Sequence, residues 1–189
     1  MGSVSFTLAS ASPRRRELLH RAGFSFLVAP SDIEEVVLEG ESAEACACRL
    51  AVEKAQGEGI VLAADTLVHL EDQILGKPVD VDEARAMLTQ LSGRVHRVTT
   101  GVYVGRPGEA VPFCVSTEVV FRDLEALEIQ RYVEGGEPMD KAGAYGIQGG
   151  AAGFVSRIQG SYTNVVGLPL AEVVAELARW GIVPGQGAP

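Results

Sequence analysis

LASASPRRRELL, residues Leu8 to Leu19, runs from an apolar segment through a turn of small residues into a helix that opens on a proline. Ser12 is a good N-cap, because its hydroxyl can accept from a free N–H of the first turn. Pro13 suits the first helical position, where its missing N–H would be unpaired anyway. Strand, tight turn and helix in that order open an α/β chain, a class that binds ligands at strand C-termini. Arg14, Arg15 and Arg16 fill the first turn. The helix dipole is positive there, and each cation costs a few tenths to ~1 kcal/mol. An anion bound at the free N–H groups would offset that cost; otherwise the three arginines form a solvated basic turn.

Outward from this stretch, Val4–Ala9 reads as a strand and Pro13–Ala22 as a helix closed by Gly23. Phe24–Ala29 is a second short strand, stopped by Pro30, and Ser31-Asp32-Ile33-Glu34-Glu35 is an acidic loop. Ser42 caps a helix to about Gln56 whose apolar stripe is Ala43, Cys46, Ala47, Leu50 and Ala51, and the same spacing brings in Lys54. A lysine in that place either snorkels to water or points inward to a site. Ile60–Ala64 is a continuous apolar run, as for a strand buried on both faces, and it ends abruptly at Asp65-Thr66. Leu67–Leu70 resumes strand character, Glu71-Asp72 turns the chain, and Leu75-Gly76-Lys77-Pro78 is a loop.

Asp80 and Glu83 form a capping box for a helix to Leu91, with Ala84, Met87, Leu88 and Leu91 as its stripe. Arg94–Val104 and Val111–Phe121 are long strands around Arg106-Pro107-Gly108. Asp123–Glu134 reads as a helix, while Asp140–Gly150 is too glycine-rich for helix or plain strand. Phe154–Ile158 and Thr163–Val166 read as strands, and Pro169 opens a last helix with the stripe Leu170, Val173, Val174 and Leu177. The pattern predicts an α/β fold with a mixed, twisted sheet and flanking helices. No linker divides the chain, so residues 1–189 read as one domain with a frayed tail from about Val183.

Composition excludes several functions. The net charge of -9 and pI near 4.8 oppose binding to nucleic acid, which needs a broad basic face. No stretch approaches the ~18 to 20 apolar residues of a membrane span, and no signal peptide is apparent. Three cysteines, two of them at Cys46 and Cys48 on different faces of one helix, fit reduced thiols in a cytoplasmic protein.

Four clusters could carry chemistry. Ser10, Ser12, Arg14 and Arg15 stand at the helix start, where the planar guanidinium fork suits phosphate. Asp65 with Thr66 stands at the end of a buried strand, either as a catalytic carboxylate or as the cap of a turn. Lys54 and Lys77 are a third set, each also readable as a surface lysine. Glu34, in the acidic loop, could bind a hard divalent cation or simply be solvated. Cations for phosphates, with carboxylates for Mg²⁺ or Mn²⁺ and water, suit hydrolysis of a phosphoanhydride. Neither a Walker A sequence nor a dinucleotide glycine fingerprint is present, and no Ser-His-Asp arrangement emerges from His20, His69 and His96.

LASASPRRRELL, AADT, GKP, LSG, DKAGAYGIQG and GSYTNVVGLPL, taken in order from Leu8 to about Leu177, resemble the Maf family of nucleoside triphosphate pyrophosphatases. The resemblance implies a fold like that of inosine triphosphate pyrophosphatases, with two lobes around a central cleft. It implies cleavage of a nucleoside triphosphate between the α and β phosphates, assisted by Mg²⁺ or Mn²⁺. Asp65 matches the family's catalytic aspartate; Ser10, Arg14, Arg15, Lys54 and Lys77 match phosphate-binding positions; Glu34 and Asp65 match metal-linked carboxylates. Arg14, Thr66 and Gln148 resemble the members that hydrolyse dTTP and UTP. The 7-methyl-GTP subfamily instead carries Ser-Asp-Gln where this chain has Ala64-Asp65-Thr66. Arg16, turned about 100° from Arg15, reads as solvated. Preference for 7-methyl-GTP, and nucleotide binding with little turnover in regulation of septum formation, are the competing readings; a homodimer is left open.

Overall fold

In the computed structural model, which describes residues 6–185, the opening stretch folds as β1 (Phe6–Leu8), a turn through Ser10 and Ser12, and α1 (Pro13–Arg21). The Ser12 side chain accepts from the Arg15 N–H, as an N-cap should. Gly23 leaves the helix at φ +84°, the left-handed conformation that glycine adopts without steric cost. Val4 and Ser5, included in the expected first strand, lie outside the described residues, as do residues 186–189 of the expected frayed tail. The expected second strand contracts to β2 (Leu27–Val28), parallel to β1, because Phe24 is buried instead of paired in the ladder.

Helix α2 (Ala43–Lys54) follows its predicted stripe. Ser42 caps it, and Ala43, Cys46, Ala47, Leu50, Ala51 and Lys54 are all buried. Its small residues let it lie directly on Gly101 of β5 (Val95–Gly105), where an added Cβ would stand 2.1 Å from the Ala47 carbonyl oxygen.

The expected break at Asp65-Thr66 does not occur. β3 runs unbroken from Ile60 to Leu70, so Asp65 lies within the strand and does not cap a turn after it. Leu67, Val68 and Leu70 keep the segment buried, and one polar side chain leaves the backbone ladder intact when it has a partner. β1 pairs parallel with residues 60–62, and β4 (Gln73–Leu75) pairs antiparallel with residues 68–70.

Asp80 caps α3 (Val81–Leu91), accepting from the N–H groups of Asp82 and Glu83. The Glu83 carboxylate reaches back to the Val79 N–H at 2.7 Å, one residue short of Asp80 in a regular capping box. β5 and β6 (Phe113–Phe121) run antiparallel: the Phe121 N–H donates to the Arg94 carbonyl, and the hydroxyls of Thr99 and Ser116 meet across the pair. α4 (Ala126–Glu134) begins three residues later than expected, since the Leu124 N–H is held by the Ser92 hydroxyl. β7 (Val155–Gln159) pairs antiparallel with β6.

Thr163–Val166, expected as a strand, is instead the short helix α5 (Tyr162–Val166). Ser161 accepts from the Asn164 N–H and starts the turn, and the buried Asn164 amide donates to the Val98 carbonyl and to the Thr117 hydroxyl. These tertiary bonds outweigh the β propensity of the valines. α6 (Leu170–Arg179) closes the chain with Val173 and Leu177 inward.

The described strands form one mixed sheet of seven in the order β2-β1-β3-β5-β6-β7, with β4 beside β3. By internal contacts the chain divides into two compact units. One runs to Asp65, takes in Thr100–Val115 and resumes at Gly167; the other comprises Thr66–Thr99 and Ser116–Val166.

Gly101→Ala tests the helix-on-strand contact, because the new methyl meets backbone that cannot swing aside. Overpacking of this kind costs about 1–3 kcal/mol. The midpoint of thermal unfolding should fall by roughly 3–10 °C, read by calorimetry.

Candidate active site

In the first unit, the last residue of α2 and the middle of β3 meet. Lys54, 7% exposed, donates from Nζ to Asp65 Oδ1 at 2.5 Å and to Glu35 Oε1 at 2.6 Å. The lysine therefore points inward, and the loop carboxylate that reaches it is Glu35. Glu34, matched to the family's metal-linked position, is exposed on the same loop. Arg49, one turn before Glu53 on α2, holds that loop in place. Its guanidinium takes the Glu41 carboxylate in a two-pronged grip at 2.8 and 2.7 Å and donates to the Val36 carbonyl at 2.8 Å. Hydrogen bonding to Arg49 holds the Glu41 carboxyl down to about 2.

The arginine turn separates into three environments. Arg16 is exposed, as expected, and Arg14 is half-buried. Arg15 is buried, and its Nε–H donates to the Gly167 carbonyl at 2.8 Å. Its Nη1 donates to the Ala64 carbonyl at 2.8 Å and to the Ser10 hydroxyl at 3.1 Å. The β1–β3 ladder gives out just before this point, at the bond from the Ala9 N–H to the Leu62 carbonyl. Arg15 thus supplies a donor to the backbone next to Asp65. Burial lowers its pKa, and the Asp65 and Glu35 carboxylates counter that shift. Neither the position of Arg49 nor this use of Arg15 was read from the sequence. The Arg49–Glu53 pair, four residues apart on a helix, was the one visible signal.

The second unit holds Thr66, Lys77 and Gln148. Thr66 is half-buried in β3; Lys77 and Gln148 are exposed. The loops that bear the last two are joined, since the Gly143 N–H donates to the Gly76 carbonyl at 3.0 Å. Gly143 adopts φ +68° and packs so near Val68 that a Cβ would come within 2.8 Å of it, while Ala144 takes the strained φ of +60°. Tyr145 then anchors the glycine-rich segment, sharing a 2.8 Å hydrogen bond with His96 Nε2 and standing edge-on to Phe121.

Two carboxylates sharing one ammonium offer hard oxygen donors of the type that Mg²⁺ or Mn²⁺ takes alongside substrate phosphates. Asp65 and Glu35 fit that pattern. Among the described residues there is no group of three or more His, Cys, Asp and Glu that could cage an ion unaided. Burial pushes the Cys46 and Cys48 thiols up to about 11. No helix among the described residues is long and apolar enough to cross a membrane.

The family profile described as Maf-like protein matches residues 5–180. A Myxococcus xanthus protein named dTTP/UTP pyrophosphatase is 52% identical over 182 residues, covering 93% of this chain and 92% of the relative. A Hahella chejuensis protein of the same name is 49% identical over 191 residues, covering 96% and 94%. One from Geobacillus, also so named, is 49% identical over 180 residues, covering 92% and 97%.

Arg15→Leu should strip a donor from two backbone carbonyls and the Ser10 hydroxyl at a cost of about 1–3 kcal/mol for each buried group left unpaired. Arg16→Ala should stay within about 0.5 kcal/mol of wild type in the same urea titration. A second expectation concerns acid. Burial holds the His96 imidazole neutral, down to about 4 from 6.5. Between those values the unfolded chain binds the extra proton, so stability falls as pH drops through the window, by on the order of 2–3 kcal/mol. The stability advantage of wild type over His96→Gln should therefore shrink by that amount between about pH 7 and about pH 4.5, measured by urea unfolding at each.

Proposed function

Because the chain belongs to the Maf family, as its match over residues 5–180 shows, we propose that it hydrolyses dTTP and UTP to the monophosphate and pyrophosphate. The observation that carries the reading is the Lys54–Asp65–Glu35 group: a buried carboxylate held by an ammonium in the unit that also presents Arg14 at a helix start. A protein that only bound triphosphate would gain nothing from carboxylates, which repel it. The names of the relatives favour pyrimidine nucleotides over 7-methyl-GTP.

Asp65 is the general base. One of its oxygens is positioned by Lys54, and the other accepts the proton of the water that attacks the α-phosphorus. Arg14 and the N–H groups at the start of α1 receive phosphate oxygens, with Ser10 and Lys77 as further contacts. Arg15 acts from behind, holding Ser10 and the strand that carries Asp65. Lys54, matched to a phosphate-binding position, would pass from its carboxylate partners to the leaving pyrophosphate, whose charge grows as the bond breaks. Asp65, with Glu35 and its neighbour Glu34, would hold Mg²⁺ or Mn²⁺, which supplies neutralising charge and a more acidic water. Thr66 and Gln148 are assigned to the base; an amide offers both a donor and an acceptor to a pyrimidine edge. We place the enzyme with its substrates in the cytoplasm.

The test is a panel of nucleoside triphosphates with Mg²⁺ or Mn²⁺, assaying pyrophosphate and orthophosphate separately. Pyrophosphate as the first product, with dTTP and UTP fastest, is expected; initial orthophosphate rules out α–β cleavage. Asp65→Asn should lose at least about 100-fold in kcat, a span typical of a lost general base, while still binding dTTP by calorimetry.

A further inference from the structure

The glycines of Gly146-Ile147-Gln148-Gly149-Gly150 do not have the spacing of a phosphate loop, and the structure gives them a different occupant. Gly146 to Gly149 form a turn closed by the Gly149 N–H on the Gly146 carbonyl at 3.1 Å, with Ile147 and Gln148 at its centre. Ile147 points into the core and Gln148 out of it. Just before the turn, the Gly146 N–H donates to the Tyr132 hydroxyl at 3.2 Å. Just after it, the Gly150 N–H donates to Glu137 Oε2 at 2.9 Å. The ring is completed by the Tyr132 hydroxyl, which donates to Glu137 Oε1 at 3.0 Å.

The chain wraps directly on this carboxylate. A Cβ at Gly149 would lie 2.0 Å from Glu137 Oε1, and one at Gly146 would meet Lys141 Cε at 2.7 Å and the same Glu137 oxygen at 3.3 Å. Glu137 is itself held from below, where Lys141 Nζ donates to its carbonyl at 2.6 Å. Tyr132 is fixed by its ring, edge-on to Phe154 with centroids 5.0 Å apart. Burial, together with the neighbouring carboxylate, raises the Tyr132 pKa, so the phenol stays a donor across the physiological range. Hydrogen bonds to an ionised carboxylate are about twice as strong as neutral ones, so this ring is a stiff mount for a two-residue turn tip.

We propose that Glu137, with Tyr132, is a positioning residue for base selection: its carboxylate closes the glycine turn and sets where Gln148 stands. The inference rests on the assignment of Gln148 to the base. A glutamine amide can present donor and acceptor in either order by turning over, so it separates thymine or uracil from cytosine only when its surroundings favour one orientation, and those are set by where the turn holds it. Glu137 touches neither substrate nor reacting atoms and acts through the turn alone.

The experiment measures kcat and KM for dTTP and dCTP in wild type, Gln148→Ala, Glu137→Ala, Glu137→Gln and Tyr132→Phe, with urea unfolding of each. In Glu137→Ala the dTTP preference should fall at least about tenfold, carried by a higher KM for dTTP. Glu137→Gln, which keeps an acceptor for the Gly150 N–H, should recover most of it. Amide exchange at Gly146 and Gly150 should be fast in Glu137→Ala and slow in wild type. A preference that collapses in Gln148→Ala but is unchanged in Glu137→Ala overturns the role of Glu137 and leaves that of Gln148. A preference unchanged in Gln148→Ala overturns the assignment to the base, and the proposal with it. If Glu137→Ala fails to fold, Tyr132→Phe decides: it keeps the ring, loses the hydroxyl, and should lower the preference, and an unchanged ratio there overturns the proposal.

Discussion

An ammonium and a carboxylate buried together constrain how the first unit is built. Lys54 and Asp65 are each less than a tenth exposed, and neither would be tolerated there alone, since an isolated buried charge loses its hydration with nothing in return. Their 2.5 Å contact fixes where the end of α2 stands against the middle of β3. Gly101 permits that approach by having no side chain under Ala47. Glu35 adds a second carboxylate to the same ammonium, and the Arg49–Glu41 grip keeps its loop within reach. Charge pairs of this kind are weak contributors to stability when compared with apolar packing. What they do is hold two acidic groups and a cation in one place, the arrangement on which the proposed hydrolysis rests.

Arg15, matched by sequence to a phosphate-binding position, also serves the scaffold. Cations at a helix start suggest an anion, and Arg14, half-buried at the start of α1, is the arginine proposed to meet it. One residue further on, the side chain turns inward, and its guanidinium finds carbonyls at Ala64 and Gly167. A guanidinium has five donors, more than a buried strand edge and one hydroxyl can consume singly, which makes it suited to joining several oxygens at once. The second unit applies the same logic with the signs exchanged. There the carboxylate of Glu137 is the hub, and the backbone N–H groups of glycines come to it.

Local rules recovered much of the fold. Ser12, Ser42 and Asp80 cap the helices they were expected to cap, and the stripes of α2 and α3 are buried residue for residue. These features rest on contacts within one turn or on one face, so spacing alone determines them. The misreadings are of another kind. Asp65 looked like the end of a strand because its type is rare within one; its partner Lys54 is eleven residues away and belongs to another element. Thr163–Val166 looked extended because valine and threonine favour strands, yet Asn164 binds Val98 and Thr117.

The candidate site divides along the same line. Residue type and spacing singled out Ser10, Arg14, Arg15, Glu34, Lys54, Asp65 and Lys77, because phosphate chemistry needs cations and carboxylates, and the order of the chain's motifs added Thr66 and Gln148 by family resemblance. Which arginine faces outward, which glutamate reaches Lys54, and what fills the glycine turn were decided only by tertiary structure. Each of those outcomes depends on backbone atoms brought in from distant parts of the chain: the Ala64 and Gly167 carbonyls, the Val36 carbonyl, the Gly150 N–H. Backbone groups are the same at every residue, so nothing in the letters distinguishes the ones that will be used.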